Sequence, residues 1–236
     1  MTKTCKWQHL NAKLNWRKML KIRASKLGAI MTDSKTKSDP LGATCRSALR
    51  DIWIADNYHR TRDFTNAMIE KGNANENEGI KMLSLKYRDL FLKNEQHFEN
   101  DYFTGTPDIL TDDCIYDVKC SWSLFTFFDA ELTKDYHAQG QVYMDLTGIK
   151  NYRLCYVLTD TPEKLIQQEI SKILYKCADP SLLPDIEQGV RSQMTFNDVS
   201  KEKRIKVFEF TYDPDFIERA KAKIELCRKE YEKFDL

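Results

Sequence analysis

Gly105-Thr106-Pro107-Asp108-Ile109-Leu110-Thr111-Asp112-Asp113-Cys114-Ile115-Tyr116-Asp117-Val118-Lys119 is the stretch on which the reading of this chain turns. Thr111-Asp112-Asp113 is a turn-forming run, and Cys114-Ile115-Tyr116 leads out of it as a short apolar strand. Residues two apart on a strand share a face, so Asp117 and Lys119 are expected to project together. A hairpin through residues 112–113 would bring Asp108 beside them. Two carboxylates and one ammonium on adjoining strands suit a hard divalent cation, with a lysine left to steady charge on the reacting group. The layout is that of a metal-dependent phosphodiesterase site. A second Asp-x-Lys, Asp33-Ser34-Lys35, lies in a polar Ser/Thr/Lys-rich stretch without strand character and reads as solvated surface.

Working outward, 236 residues with 42% apolar side chains can build one sizeable core, which excludes wholesale disorder. The net charge of +1 argues against a generic polybasic binder. The charge is uneven, however: residues 1–50 hold twelve Lys/Arg against only Asp33 and Asp39. Such an arm either meets phosphates or forms a solvated helix face. The seven cysteines are scattered and form no Cys-x-x-Cys pair, a pattern of reduced thiols with no zinc or iron–sulfur spacing. The four histidines (9, 59, 97 and 137) are equally dispersed and read as structural or surface residues. No stretch approaches the length of a membrane span, and the first residues lead into no signal-peptide apolar block. A soluble, cytoplasmic protein is expected.

The periodicity predicts a basic amphipathic helix over 8–31, with a second short helix capped near Ser25. A polar loop over 32–42 follows, then a helix over 43–57. Lys71-Gly72-Asn73 is expected to break the chain before a helix at about 74–92. There Glu76, Ile80, Leu83 and Tyr87 form one stripe, so Glu76 heads an inward face. Glu78 points about 200° round and is the alternative. Strands are expected at about 100–110 and 114–120, a helix at 132–147, a strand at 152–158 and a helix from Thr161-Pro162 to Cys177. Residues 179–200, with Pro180, Pro184 and Gly189, read as a loop-rich insertion. A strand at 207–210 and a helix at 214–233 close the chain. The order predicts an α/β fold of mixed α+β type, a central mixed sheet flanked by helices.

Ile22-Arg23-Ala24-Ser25, Gly72 with Glu76, Thr106-Pro107-Asp108 with Asp117-Val118-Lys119, and Ala138-Gln139-Gly140-Gln141 with Tyr143, in this order, resemble the PD-(D/E)xK nuclease superfamily, specifically recombination exonucleases of the phage lambda-exonuclease/YqaJ type. Ile22-Arg23-Ala24-Ser25, just after Trp16, resembles the family's N-terminal Ile-Thr-Ala-Ser segment. Gly72 followed by Glu76 resembles its glycine-to-glutamate helix start. Thr106-Pro107-Asp108 with Asp117-Val118-Lys119 resembles its catalytic hairpin, and Ala138-Gln139-Gly140-Gln141 with Tyr143 its glutamine helix. Departures are Asp117 where glutamate is frequent, Arg23 for threonine, and Lys18 where the family carries arginine, which loses bidentate phosphate geometry but keeps the charge. The C-terminal third carries no such match.

The resemblance implies a restriction-endonuclease-like core in a single nuclease domain spanning 1–236. Residues 1–70 would form a helical part meeting the DNA end, 71–160 the catalytic core, and 161–236 the C-terminal helices and last strand. Glu76, Asp108, Asp117 and the backbone carbonyl of Val118 would hold one or two Mg²⁺ or Mn²⁺ ions. Lys119 would orient the attacking water or balance transition-state charge. Gln139, which shares a helix face with Tyr143 at a spacing of four, would support them, with Gln141 the alternative. Lys18, Ser25 and Thr106 would take a terminal 5′-phosphate. The aromatic run Trp122, Phe125, Phe127 and Phe128 either stacks on bases at a duplex end or forms core or oligomer surface. The implied activity is 5′→3′ digestion of linear duplex DNA in phage-type recombination, by a homo-oligomer (a trimer in the family) beside a single-strand annealing protein. The alternatives are an endonuclease or accessory repair nuclease of the same fold, and a catalytically silent DNA-end-binding protein.

Overall fold

The computed structural model describes residues 19–36, 39–62, 66–177 and 179–236. Trp16, Lys18 and the start of the helix expected from residue 8 lie outside the described residues. The 114–120 strand is the axis of the fold. As β5 (Cys114–Cys120) it pairs antiparallel with β4 (Ile109–Leu110) and parallel with β6 (Asn151–Val157), and β6 pairs antiparallel with β7 (Ile205–Thr211). The mixed sheet expected from the sequence is therefore present. Its parallel pair needs a helical crossover, supplied by α4 (Leu124–Phe128) and α5 (Lys134–Thr147). Both faces of β5 are covered, which explains its run of apolar residues. Ile115 belongs to the core shared with Val142 and Met144 of α5, whereas Cys114, Tyr116 and Val118 pack with Ile80 and Leu83 of α3 (Ala67–Tyr87).

A second, small sheet orders β1 (Ile22–Arg23), β3 (Phe103–Gly105) and β2 (Phe98–Glu99). Here the structure departs from the helical reading of 8–31. Ile22 is fully buried, its N–H donates to Tyr102 O at 2.8 Å, and residues 22–23 run extended and parallel to Phe103–Thr104. A 3-10 turn follows at Ala24–Lys26, and helix α1 covers only Leu27–Met31. Ser25 sits inside that turn and caps nothing. Helix α2 (Ala43–Tyr58) matches its expected span, and α1, α2, α5 and the C-terminal α8 (Pro214–Tyr231) share the largest core through Leu27, Leu49, Val142 and Ile224.

Three further expectations are corrected. Helix α3 begins at Ala67, not 74, because the Asn66 side chain accepts from Ile69 N at 3.0 Å and caps it; Gly72 then lies within the helix. The expected strand at 100–110 is two pieces in two different sheets, β3 and β4, separated by Thr106-Pro107-Asp108. The proline lacks the N–H a continuous ladder would need. Residues 179–200 are largely helix, with α6 (Glu163–Lys176) followed by a 3-10 turn and α7 (Leu183–Met194) packed on it through Ile166, Ile170, Val190 and Met194. Pro184 occupies the first turn of α7, where a missing N–H costs nothing.

Candidate active site

The split between β3 and β4 places Asp108. Asn94, in the loop after α3, donates its N–H to Asp108 O at 2.7 Å and its side-chain amide to Pro107 O at 2.9 Å, fixing the turn. The pairing Ile109↔Tyr116 carries Asp108 alongside Asp117, and Asp108 Oδ2 accepts the N–H of Val118 at 2.8 Å. Asp117 is fully buried. Its Oδ1 accepts from Gln139 Nε2 at 3.0 Å, and the same amide donates to the Tyr143 hydroxyl at 3.2 Å. Lys119 Nζ lies 2.5 Å from Asp117 Oδ2 and pairs with it. Asp108, Asp117 and Lys119 are thus brought together as the hairpin reading expected.

The electrostatics follow from burial and crowding. Desolvation and the neighbouring charge of Asp117 push the Asp108 carboxyl up to about 7, against the opposing pull of Lys119 and the Val118 N–H. Burial opposes the charge on Lys119, but Asp117 and Asp108 outweigh it and raise its pKa, so it stays protonated. Desolvation and the same carboxylates push the Tyr143 phenol up to about 12. The pair of aspartates therefore carries more negative charge than one lysine offsets.

Helix α3 supplies the opposite wall. Gly79 makes its close approach possible: a Cβ there would sit 2.8 Å from Val118 Cγ1 and 3.0 Å from Val157 Cγ2. Polar pins set the helix's height on the sheet. Asn75 donates to Thr159 Oγ1 (2.9 Å) and Asp160 O (2.7 Å), and the fully buried Lys71 donates to Trp122 O at 3.0 Å. Desolvation lowers the Lys71 pKa to about 8. Glu76, one turn before Gly79, faces the same cleft, but its Oε2 is bound by Lys93 Nζ at 2.7 Å, with side chains 23% and 46% exposed. Glu78 instead faces solvent and pairs with Lys81 at 3.5 Å.

The cleft, of about 490 Å³, is lined by Glu76, Asp108, Val118, Lys119, Ser121 and Trp122 among others. A smaller cavity of about 340 Å³ at the other end of β5 and β6 holds Arg153, already bound by Glu209 and Tyr116. Among the described residues, no three His, Cys, Asp or Glu side chains stand close enough together to hold a metal ion. Two carboxylates converge, and the third is turned to Lys93.

Thr106 is exposed two residues before Asp108, its hydroxyl 3.0 Å from His97 Nδ1, while Thr104 Oγ1 lies 2.6 Å from His97 Nε2. Ser25 is also exposed, on the turn that packs against β3 and α5. Close approach recurs at Gly105, where a Cβ would fall 2.6 Å from Tyr143 Cε1. Gln141 is not a site residue. It is fully buried on the other face of α5, donating to Thr211 O and accepting from Asp213 N. Sequence reasoning missed Lys93, Asn94, Lys71 and Asn75. Only Lys71 and Asn75 left a trace, sharing with Gly79 the i, i+4, i+8 stripe of a helix that begins at 67.

No known family profile matches the sequence, and no curated protein is significantly similar to it. Solved structures are. A phage-related exonuclease from Haemophilus somnus 129PT superposes with a TM-score of 0.74 at 24% identity, over 90% of this chain and 94% of that one. An alkaline exonuclease from Laribacter hongkongensis gives 0.62 at 13% identity, over 90% and 88%, and its complex with dAMP gives 0.59 at 16%. The chain has the fold of these exonucleases. The mixed α/β fold expected from the sequence is therefore the fold observed, and these structures share it. Among the described residues, no helix is long and apolar enough to cross a membrane.

Proposed function

We propose that this protein is a metal-dependent deoxyribonuclease, an exonuclease that digests linear duplex DNA 5′→3′ from phosphorylated ends in phage-type recombination. The observation that carries the reading is the convergence of Asp108, Asp117 and Lys119, with Asp108 and Lys119 lining a cleft and Asp117 buried behind them. The exonuclease fold supports it. Two crowded carboxylates, one of them pushed up to about 7, are the donor chemistry a hard cation fits. Asp108, Asp117 and the Val118 carbonyl would hold Mg²⁺ or Mn²⁺. Glu76 would join once released from Lys93, at the small cost of an exposed ion pair, about 0–1 kcal/mol. Bound there, the ion would supply an activated water and charge neutralisation at the phosphate.

The chain's own groups do the rest. Gln139 fixes the orientation of Asp117 and ties it to Tyr143. Lys119, kept charged by the two aspartates, orients the attacking water or stabilises charge developing on the phosphoryl oxygens. Thr106, exposed two residues before Asp108, and Ser25, exposed on the turn against β3, would with Lys18 take the terminal 5′-phosphate. Expected partners are DNA ends, a single-strand annealing protein and further copies of the chain.

The test is release of acid-soluble nucleotide from 5′-phosphorylated linear duplex in Mg²⁺. Parallel arms use 5′-hydroxyl duplex, a covalently closed circle, a chelator and Asp117→Asn. Metal-dependent digestion confined to linear ends, faster with a 5′-phosphate and lost in the variant, is expected. Cleavage of the closed circle would make the protein an endonuclease. Digestion by Asp117→Asn at the wild-type rate would refute the site.

A further inference from the structure

The aromatic run after the catalytic strand divides in two. Phe127 is 8% exposed and packs with Leu158 and Phe196, whereas Phe125 and Phe128 are 73% and 80% exposed and Leu124 is 44% exposed. Apolar side chains displayed this openly usually sit on mobile loops. Here the backbone beneath them is held at both ends and in the middle. Lys71 donates to Trp122 O, and Lys206 donates to Phe128 O at 2.7 Å and Ala130 O at 3.0 Å. Between them a capping box closes on itself, Ser123 Oγ accepting from Thr126 N and Thr126 Oγ1 accepting from Ser123 N. Trp122 rests on the cluster of Ile166, Ile170 and Met194. The segment at 179–200 thus has a structural task, with Met194 behind Trp122 and Phe196 behind Phe127.

This rigid lip continues directly from the cleft, because Trp122 and Thr126 line it together with Asp108 and Lys119. A strand with its phosphate at Lys119 would have this lip at the edge of the cleft, within reach of its neighbouring bases. We propose that Phe125 and Phe128 form a stacking platform for unpaired nucleobases of the DNA strand held in the cleft. The occupant is a base and not a second copy of the chain, because the helix that carries the platform also supplies Thr126 to the wall of the cleft lined by Asp108 and Lys119. Every base has a π-face, so the platform is indifferent to sequence, as an end-digesting enzyme requires. The inference rests on the nuclease reading above.

The test measures binding of a single-stranded oligonucleotide, and of its counterpart carrying the same phosphates but abasic throughout, in Ca²⁺ to suppress cleavage. Stacking on aromatic side chains makes Phe125→Ala/Phe128→Ala bind the normal strand about 5- to 100-fold more weakly. The abasic strand should be bound equally by wild type and variant, and Phe125→Trp should restore affinity for the normal strand. Both phenylalanines are exposed, so the fold survives, as circular dichroism would check. Equal losses on both strands, or none, would overturn the platform. So would a variant that sediments as a smaller oligomer while keeping base-dependent affinity, since the lip would then be an interface between copies. Failure of the nuclease reading is told apart by wild-type protein that binds neither strand and releases no nucleotide.

Discussion

Asp108 gives the site a signature that needs no substrate. A raised carboxyl pKa favours folding while both states are protonated. That stability is present below the ordinary value of 3.8 and is lost as pH rises through about 7. The unfolded chain ionises first, while the folded chain is still holding its proton against Asp117 and burial. Roughly three pH units at about 1.4 kcal/mol each amount to about 4 kcal/mol lost by pH 7 and above. Between pH 5 and pH 8 in a chelator, about two of those units are traversed, so stability should fall by about 3 kcal/mol. For a chain of this length that is about 6–12 °C in Tm. Asp108→Asn isolates the effect, since its carboxamide can still accept the Val118 N–H and carries no charge. Urea denaturation of both proteins at the two pH values provides the assay, and the difference between them removes contributions from other carboxylates. Mg²⁺ competes with the same proton, so it should stabilise the wild type more at pH 8 than at pH 5 and barely affect the variant. Identical pH slopes in wild type and Asp108→Asn would refute the reasoning, because the charge excess that calls for a cation would then not exist.

Lys119→Ala should lower turnover about a hundredfold or more with little change in DNA affinity; a large affinity loss at unchanged kcat would make Lys119 a phosphate anchor instead. Glu76→Gln should abolish digestion and Glu78→Gln should leave it intact, measured as nucleotide release in Mg²⁺, and the reverse outcome would mean that the helix faces are assigned wrongly. Lys93→Ala should free Glu76 and tighten Mg²⁺ binding by up to about fivefold, the equivalent of an exposed ion pair worth up to about 1 kcal/mol; weaker binding in a Tm titration would count against recruitment of Glu76. Gly79→Ala should destabilise by up to about 2 kcal/mol, since overpacking against Val118 and Val157 at about 1–3 kcal/mol exceeds the helix-propensity gain of about 1 kcal/mol.

Legibility from sequence followed the range of the interactions involved. The hairpin of Asp108 and Asp117 and the shared face of Gln139 and Tyr143 depend on local periodicity, and both are where the sequence placed them. The Asp-x-Lys face is equally local. The start of α3 was lost because Gly72 signals a break, while the cap that overrides it, Asn66, sits six residues upstream. Ile22 was read as helical because the basic stretch around it has helical spacing; its pairing with Phe103, eighty-one positions away, is a tertiary fact no local pattern carries. Helix α7 was hidden by Pro184 and Gly189, although Ile186, Val190 and Met194 keep a spacing of four. The choice between Gln139 and Gln141 needed the structure, since both are buried on one helix and only the packing shows which meets Asp117.

The donors of this centre differ in how firmly they are held, and that difference is built into the elements that carry them. Asp108 and Asp117 sit on a hairpin whose first strand is entered through a bend locked by Asn94 and whose second strand is buried on both faces, so their separation is set by backbone geometry. Glu76 sits on a helix whose axial position is equally firm, pinned by Lys71 and Asn75 and seated through Gly79, yet its carboxylate is held only by a half-exposed lysine. Moving it costs side-chain rotation and a weak ion pair, with no change in packing. A centre made this way keeps a permanent two-carboxylate core whose excess charge attracts a cation. Glu76 would complete the set on release from Lys93. Under the proposed reading, cation binding and the final arrangement of these groups would be one event, confined to side chains on the scaffold set by the hairpin and α3.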